Sequence, residues 1–168
     1  MILPIRIWPD PVLQKMAEPV SQFNAELAEL VQNMFETMYD APGRGLAAPQ
    51  IGVSKRLFVM DCTWKDGDKT PRVFINPEIL NSDVEMTVNS EGCLSLPEFT
   101  VDVERPISVE IKWQDLEGAF HQDALTGFAA ICAQHEYDHL DGILTIDRIT
   151  APQLEAIADC LANLRACV

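Results

Sequence analysis

The sequence predicts an α+β fold in which antiparallel β-strands pack around a central helix, with further helices towards the N-terminus and the C-terminus. Three observations point to this class. An amphipathic helical pattern occupies the first quarter of the chain, short apolar or alternating segments fill the middle, and two helical patterns follow them. The length of 168 residues is typical of one domain, so we expect residues 1–168 to form a single domain.

The N-terminal quarter contains two helical signals. Asp10 followed by Pro11 predicts a short helical turn that runs to about Met16, with Asp10 as the N-cap. Asn24 then begins a longer helix that ends near Pro42. The apolar stripe of this helix consists of Leu27, Leu30, Val31, Met34, Phe35 and Met38.

The middle of the chain predicts strands. Three short apolar runs have strand character: Leu57–Met60, Val73–Ile75 and Val101–Val103. Apolar and polar residues alternate strictly from Ile107 to Trp113, which indicates a half-buried strand. Gly118 predicts a turn into a further strand, Ala119–Leu125, and this strand pairs back on the previous one in an antiparallel sheet.

Two helices are predicted towards the C-terminus. Thr126 is the expected N-cap of a helix that ends at Asp141 and Gly142. Pro152 opens the last helix. The apolar face of that last helix is predicted to contain Leu154, Ile157, Ala158, Leu161 and Leu164.

Composition excludes several function classes. Twelve Lys and Arg residues against 26 Asp and Glu residues give a formal net charge of -14, which opposes nonspecific binding to DNA or to anionic lipid. The longest apolar run, Phe128–Ala133, is too short for a membrane helix. The N-terminal segment has no signal-peptide pattern, so we expect a cytoplasmic protein. The five cysteines are odd in number and scattered, so free thiols are expected.

Residues 135–139 read His-Glu-Tyr-Asp-His. On a helix, four residues advance slightly more than one turn, so His135 and His139 lie on the same face and can bind one metal ion. Glu136 follows the first histidine and is placed to act as a general base on a water molecule at that ion. This arrangement is typical of metal hydrolases.

A catalytic metal site needs a third protein ligand. The metzincin pattern requires a histidine at position 145, where this chain has Thr145, so that pattern is excluded. Glu155 is the candidate for a peptidase of the gluzincin type and stays open as an alternative. Cys93 is the preferred candidate, because the glycine and proline around it predict a loop instead of a regular strand.

Three segments together resemble the three motifs of peptide deformylases. They are Gly43–Gln50, which reads GRGLAAPQ, then Glu91–Ser95, which reads EGCLS, and Gln134–His139, which reads QHEYDH. Their order and spacing and the total chain length also match, so the resemblance covers nearly the whole chain. It implies a small α+β fold and hydrolysis of the N-formyl group from new polypeptides that begin with formyl-methionine.

The resemblance also implies roles for individual residues. The metal ligands are then Cys93, His135 and His139, and a metal-bound hydroxide attacks the formyl carbon while Glu136 serves first as base and then as acid. The Gln50 amide and the Leu94 backbone N–H would stabilise the oxyanion. The residues expected to contact or organise the substrate pocket are Gly43, Arg44, Gly45 and Glu91, with Glu91 at the edge of the site.

The expected cofactor is one divalent metal ion per chain. Two imidazoles and a thiolate suit zinc or ferrous iron. The resemblance favours Fe2+ in the cell, with Zn2+, Ni2+ or Co2+ as alternatives. The expected partners are N-formyl-methionyl nascent peptides at the ribosome, with no DNA, no membrane and a monomeric protein.

The chain departs from the family pattern at three places. Arg44 stands where family members usually have an aliphatic residue, and it changes the charge at the entrance of the methionine pocket. Thr100 replaces an arginine or tyrosine that some members present to the peptide. The last helix is not basic, so docking on ribosomal RNA through a basic extension is not expected.

Two other hypotheses stay open, a different HExxH metallopeptidase and a non-catalytic peptide-binding paralogue.

Overall fold

The computed structural model describes residues 1–167. Within these residues the chain forms four α-helices and seven β-strands, joined by turns and short 3-10 segments. The helices are α1 (Ala25–Asp40), α2 (Gly127–Leu140), α3 (Ala151–Ala156) and α4 (Ala158–Ala166). The strands are β1 (Gly45–Ala47), β2 (Leu57–Met60), β3 (Arg72–Ser82), β4 (Met86–Cys93), β5 (Leu96–Pro106), β6 (Ser108–Gln114) and β7 (Phe120–Thr126).

The strands form two antiparallel sheets. Five of them make one sheet in the order β1-β2-β3-β6-β7, and β4 pairs with β5 in a separate hairpin. The fold therefore combines helices with antiparallel sheets, as the sequence predicts. Among the described residues, no helix has both the length and the apolar character that a membrane crossing would require.

Strand β2 explains how two helices cover the large sheet. Side chains of a strand point alternately to opposite faces. Leu57 and Val59 belong to the core that includes α1, whereas Phe58 and Met60 belong to the core that includes α2. All four residues are buried, which accounts for the uninterrupted apolar sequence of this strand. Helices α1 and α2 thus lie on opposite faces of the sheet.

Helix α1 confirms the predicted N-terminal helix. The Asn24 side chain accepts a hydrogen bond of 3.0 Å from the Leu27 N–H, so Asn24 is the N-cap. The helix ends at Asp40, two residues before Pro42. Asp10 likewise caps a short 3-10 turn, Pro11–Gln14, through a hydrogen bond from the Val12 N–H.

In the middle of the chain, the observed strands are longer than the predicted ones, and the sequence pattern does not predict two of them. The runs at 73–75 and 101–103 are the centres of β3 and β5. Strand β1 and strand β4 were not predicted. The prediction that Cys93 lies in a loop is wrong, because Cys93 is the last residue of β4, next to a tight turn into β5. Both missed strands contain glycine, whose low strand propensity hides the pattern.

The prediction of one continuous last helix is also wrong. The helix divides at Ile157, whose φ of -107° and ψ of 9° leave the helical range, into α3 and α4. Leu164 is buried, whereas Leu154 is 41% exposed. The predicted apolar face is therefore only partly covered, and little burial favours a straight helix over a broken one.

Gly142 ends α2 in a position that only glycine fits. Its φ is +72°, and a Cβ built there would lie 2.7 Å from the carbonyl carbon and oxygen of Gln14. We expect Gly142→Ala to lower the free energy of unfolding by about 3 kcal/mol, because backbone strain and a backbone clash add. Urea denaturation measures this loss.

Gly67→Ala is the matched control for this prediction. Gly67 also has a positive φ, +92°, but a Cβ at this position would have no other atom within 4 Å. Gly67→Ala should therefore lower the free energy of unfolding only by the backbone strain, about 1 kcal/mol. Equal losses in the two variants would contradict the clash at Gly142.

Candidate metal centre

Helix α2 and strand β4 bring three potential metal ligands together. His135 and His139 lie one turn apart on α2, and Cys93 ends β4. The ligand atoms of these three residues all lie within 4.8 Å of one another. Cys93 Sγ is 3.5 Å from His139 Nε2, and the two imidazole rings have centroids 5.0 Å apart. Among the described residues, this is the group of metal-ligating side chains that the structure brings together.

The geometry and chemistry of this group fit a tetrahedral metal ion. Bonds of about 2.3 Å to sulfur and about 2.1 Å to nitrogen imply a ligand separation of about 3.6 Å at the tetrahedral angle. The observed separation of 3.5 Å between Cys93 Sγ and His139 Nε2 is close to that value. Two imidazoles and a thiolate are also the donor set that zinc or ferrous iron favours.

Glu155 does not join this group. It is an exposed residue of α3, whereas His135 and His139 are buried on α2. Of the two candidates for the third ligand, the structure therefore places Cys93 and not Glu155 beside the histidines.

Glu91 fixes the orientation of His135. The His135 Nδ1 atom lies 2.9 Å from Glu91 Oε1, which leaves Nε2 of this ring free for a metal ion. Arg105 donates two hydrogen bonds to Glu91, of 2.6 and 3.0 Å. Glu91 is itself buried, with its carboxylate against the His135 ring.

Arg105 extends this network to the other side of α2. It donates a hydrogen bond of 2.9 Å to Asp138, and Asp138 also accepts two hydrogen bonds from Arg148. The sequence motifs do not single out Arg105, Asp138 or Arg148. A signal was present, since Val101, Val103 and Arg105 alternate along β5 and so place a charged residue on its buried face. A buried arginine requires buried carboxylates.

We expect Arg105→Met to lower the free energy of unfolding by about 3 kcal/mol or more. The substitution leaves the Glu91 and Asp138 carboxylates buried without their shared cation, which is the costly way to break a buried ion pair. Urea denaturation at matched metal content measures the effect.

Arg6→Met serves as its control. Arg6 pairs with Asp10 at 3.8 Å between side chains that are 50% and 30% exposed. Such an exposed pair contributes less than about 1 kcal/mol. A loss for Arg105→Met no larger than that of the control would show that the buried network is not needed for stability.

Burial and charge shift the pKa values of the two histidines in opposite directions. Burial acts to lower the pKa of His135, but its contacts with Cys93 and Glu91 and the charge of Glu136 raise it well above the usual value. Burial, followed by the positive charges of His135 and Arg105, lowers the pKa of His139 well below its usual value. Burial also acts to raise the pKa of Glu91, but hydrogen bonds from His135 and Arg105 hold it below the usual value.

Glu136 lies beside the ligands with a carboxylate oxygen that has no partner. Its Oε2 is buried without a hydrogen bond in the described structure, as is His139 Nδ1. Burial raises the pKa of Glu136 to about 7, although the charge of His135 acts in the opposite direction. Gly45 makes room for this side chain, because a Cβ at Gly45 would lie 2.5 Å from Glu136 Oε1.

Gln50 and the turn after Cys93 complete the immediate surroundings of the ligands. The Ala47 N–H donates to Gln50 Oε1 at 2.9 Å, which turns the amide nitrogen towards Cys93 Sγ at 3.7 Å and Ser95 Oγ at 3.1 Å. Leu94 and Ser95 form the turn between β4 and β5. Ser95 was not among the predicted site residues.

A large cavity of about 1380 Å³ opens next to the metal centre. Its lining includes the residues predicted to contact or organise the substrate pocket, which are Gly43, Arg44, Gly45 and Glu91. The lining also includes Gln50, Cys93, Leu94, Thr100, His135 and Glu136. Phe128, Ile131 and His135 line it from α2. The structure therefore brings all the predicted substrate residues to one cavity.

Known proteins match this chain over nearly its whole length. A family model described as polypeptide deformylase matches residues 2–155. The peptide deformylase of Afipia carboxidovorans is 51% identical over 142 residues, which cover 84% of this chain and 83% of that protein. The crystal structure of peptide deformylase from Thermotoga maritima superposes with a TM-score of 0.84 at 47% identity and covers 89% of this chain and 99% of that one. A structure of peptide deformylase from Plasmodium falciparum gives a TM-score of 0.93 at 36% identity, covering 97% and 95%.

Proposed function

Because this chain belongs to the polypeptide deformylase family, we propose that it removes the formyl group from the N-terminal formyl-methionine of newly synthesised polypeptides and releases formate. It is a hydrolase that acts on a linear amide. One observation carries the proposal for this chain. The Cys93, His135 and His139 ligand atoms converge beside a buried glutamate whose Oε2 has no partner.

These three residues would hold one divalent metal ion. When bound, such an ion supplies Lewis acidity towards the formyl oxygen and lowers the pKa of a water molecule. Glu91 and Arg105 keep the His135 ring in its ligating orientation.

Glu136 moves the proton. Its carboxylate takes a proton from the attacking water and returns it to the amine that leaves when the formyl C–N bond breaks. Burial raises the pKa of this carboxyl group, which favours acceptance of the proton from water. Gly45 gives the side chain room to lie against the substrate backbone.

Gln50 and the Leu94 backbone N–H stabilise the negative charge that develops on the formyl oxygen. The Gln50 amide is held in advance by the Ala47 N–H, so its NH2 group faces the ligand set without reorganisation. Leu94 lies in the tight turn that follows Cys93, directly at the cavity.

The peptide binds along strand β1. This strand is at the edge of the five-stranded sheet, so its outer side can pair with an extended chain. Gly45 begins β1, and both Gly43 and Gly45 line the cavity. Pairing there places the N-terminus of a nascent peptide next to Glu136.

Helix α2 is the central helix of this arrangement. Ten of its 14 residues are buried, and it contacts both the large sheet and β5. The family acts on nascent chains, and we infer that this chain does so in the cytoplasm, as a monomer near the ribosome. Glu155 and Asp159 on α3 and α4 disfavour docking of these helices on RNA.

We infer that Fe2+ is the metal in the cell, with Zn2+, Ni2+ or Co2+ able to replace it. A ferrous ion next to the Cys93 thiolate is open to oxidation. We therefore expect the iron form to lose activity in air about tenfold faster than the nickel form. Timed assays of formate release measure both lifetimes, and equal lifetimes would contradict the inference.

The test of the proposed function compares formyl-Met-Ala-Ser with acetyl-Met-Ala-Ser. Chromatography of the products identifies the bond that breaks. A deformylase yields intact Met-Ala-Ser and formate from the first peptide and acts far more slowly on the second. Cleavage of the Met-Ala bond would indicate a peptidase, and no change in either peptide would indicate a non-catalytic paralogue.

A further inference from the structure

The side chain of Arg44 has no role in the chemistry described above. Its Cζ lies over the Phe128 ring, 5.0 Å from the ring centre, and both residues line the cavity. Among residues 1–167, its guanidinium makes no ion pair within 4.0 Å and no side-chain hydrogen bond. The N–H groups of a guanidinium that lies over an aromatic ring stay available as donors.

Helix α2 shows where this guanidinium lies relative to the metal centre. Phe128, Ile131 and His135 are spaced i, i+3 and i+7, so they form one continuous wall of the cavity. Seven residues of helix span about 10 Å. The wall therefore extends from the metal ligand His135, past Ile131, to the Phe128 ring, over which the Arg44 guanidinium lies.

The side chain of the formylated residue extends along this wall. Its formyl group must lie at the ligands, and Ile131 then offers an apolar contact for the methylene groups of the side chain. An unbranched side chain of the length of methionine reaches towards the Arg44 end. A thioether sulfur is only a weak hydrogen-bond acceptor, so methionine itself does not use the donors of Arg44.

On the premise of the proposed function, we propose that Arg44 makes this pocket selective for N-formyl-methionine whose sulfur is oxidised to the sulfoxide. The sulfoxide oxygen is a strong acceptor at the same position in the side chain. The guanidinium donates to that oxygen while Phe128 and Ile131 contact the methylene groups. The substrate class is a formylated residue with a neutral oxygen acceptor at the end of an unbranched side chain.

Charge favours a neutral acceptor over a carboxylate. Asp83 and Glu98 line the same cavity, where Glu91 is already paired with Arg105 and His135 and Lys65 is a second cation, and the chain carries a formal net charge of -14. An anionic side chain would be attracted by Arg44 but repelled by Asp83 and Glu98, whereas a sulfoxide gains the hydrogen bond without that repulsion.

The test measures kcat/KM for two peptides, formyl-methionine-sulfoxide-Ala-Ser and formyl-norleucine-Ala-Ser. Norleucine has the same length and no acceptor. We expect Arg44→Ile to lower the ratio of sulfoxide to norleucine by at least about fivefold, because the variant loses a charged hydrogen-bond donor. Arg44→Gln should lower it less. Lys65→Met removes another cation from the cavity lining and should leave the ratio unchanged.

Calorimetric affinities of the same two peptides separate this inference from the proposed function. An unchanged ratio in Arg44→Ile, in turnover and in binding, would overturn the role of Arg44 while deformylation stands. If the wild type releases no formate from either peptide, the proposed function fails. The ratio of binding affinities in wild type and Arg44→Ile then still decides whether Arg44 selects the sulfoxide.

Discussion

Replacement of Cys93 with alanine should reduce the bound metal from about one ion per chain to less than about a tenth, because the site loses its only thiolate. His135 and His139 alone leave two ligands, and three protein ligands are the norm for catalytic sites. Formate release should fall together with the metal content. Metal analysis after dialysis and the deformylation assay on the same sample measure both.

Glu155→Ala is the matched control for Cys93→Ala. It removes the competing third ligand, an exposed residue outside the cluster. It should retain metal and activity at the level of the wild type. Metal retained in Cys93→Ala and lost in Glu155→Ala would overturn the ligand set and favour a peptidase of another type.

Replacement of Glu136 with alanine should lower kcat for formyl-Met-Ala-Ser about a thousandfold, which is within the range for loss of a general acid–base group. The metal should stay bound, because Cys93, His135 and His139 are intact. Removal of a buried carboxyl group whose pKa is raised by burial should not destabilise the fold strongly.

Glu136→Gln distinguishes proton transfer from packing against Gly45. The amide has the same shape and contacts but cannot accept the proton, so it should be nearly as inactive as the alanine variant. Near-normal activity of either variant with full metal content would show that Glu136 is not the group that transfers the proton.

Local patterns in the sequence predict the elements that depend on local forces. Helix α1 follows from its apolar spacing and from Asn24 at its N-terminus, and strand β2 follows from a short apolar run. Thr126 precedes α2 as predicted, although its side chain makes no capping hydrogen bond. Such elements need only the order of residues within one turn or one strand.

Elements that depend on distant partners could not be predicted in this way. Strand β4 is defined by its pairing with β5, and its exposed, glycine-containing sequence shows no buried alternation. The break at Ile157 depends on how much of α3 and α4 the rest of the chain covers. Neither effect is present in a window of neighbouring residues.

The residues of the candidate site also differ in whether a local sequence pattern predicts them. The spacing of His135, Glu136 and His139 is a local property of one helix and predicts a metal site directly. Cys93 lies far earlier in the chain, so the residues alone favour it over Glu155 without excluding Glu155, and the family resemblance decides between them. Arg105 joins Glu91 to Asp138 across two elements, and only the fold brings the three together.

Formate release from formyl-Met-Ala-Ser by anaerobically purified protein, with metal measured on the same sample, tests whether this chain deformylates peptides at the Cys93, His135 and His139 site. We expect one formate per peptide consumed, at a rate that rises in proportion to the metal bound at these three residues. A fully metallated protein that folds normally and releases no formate would contradict it.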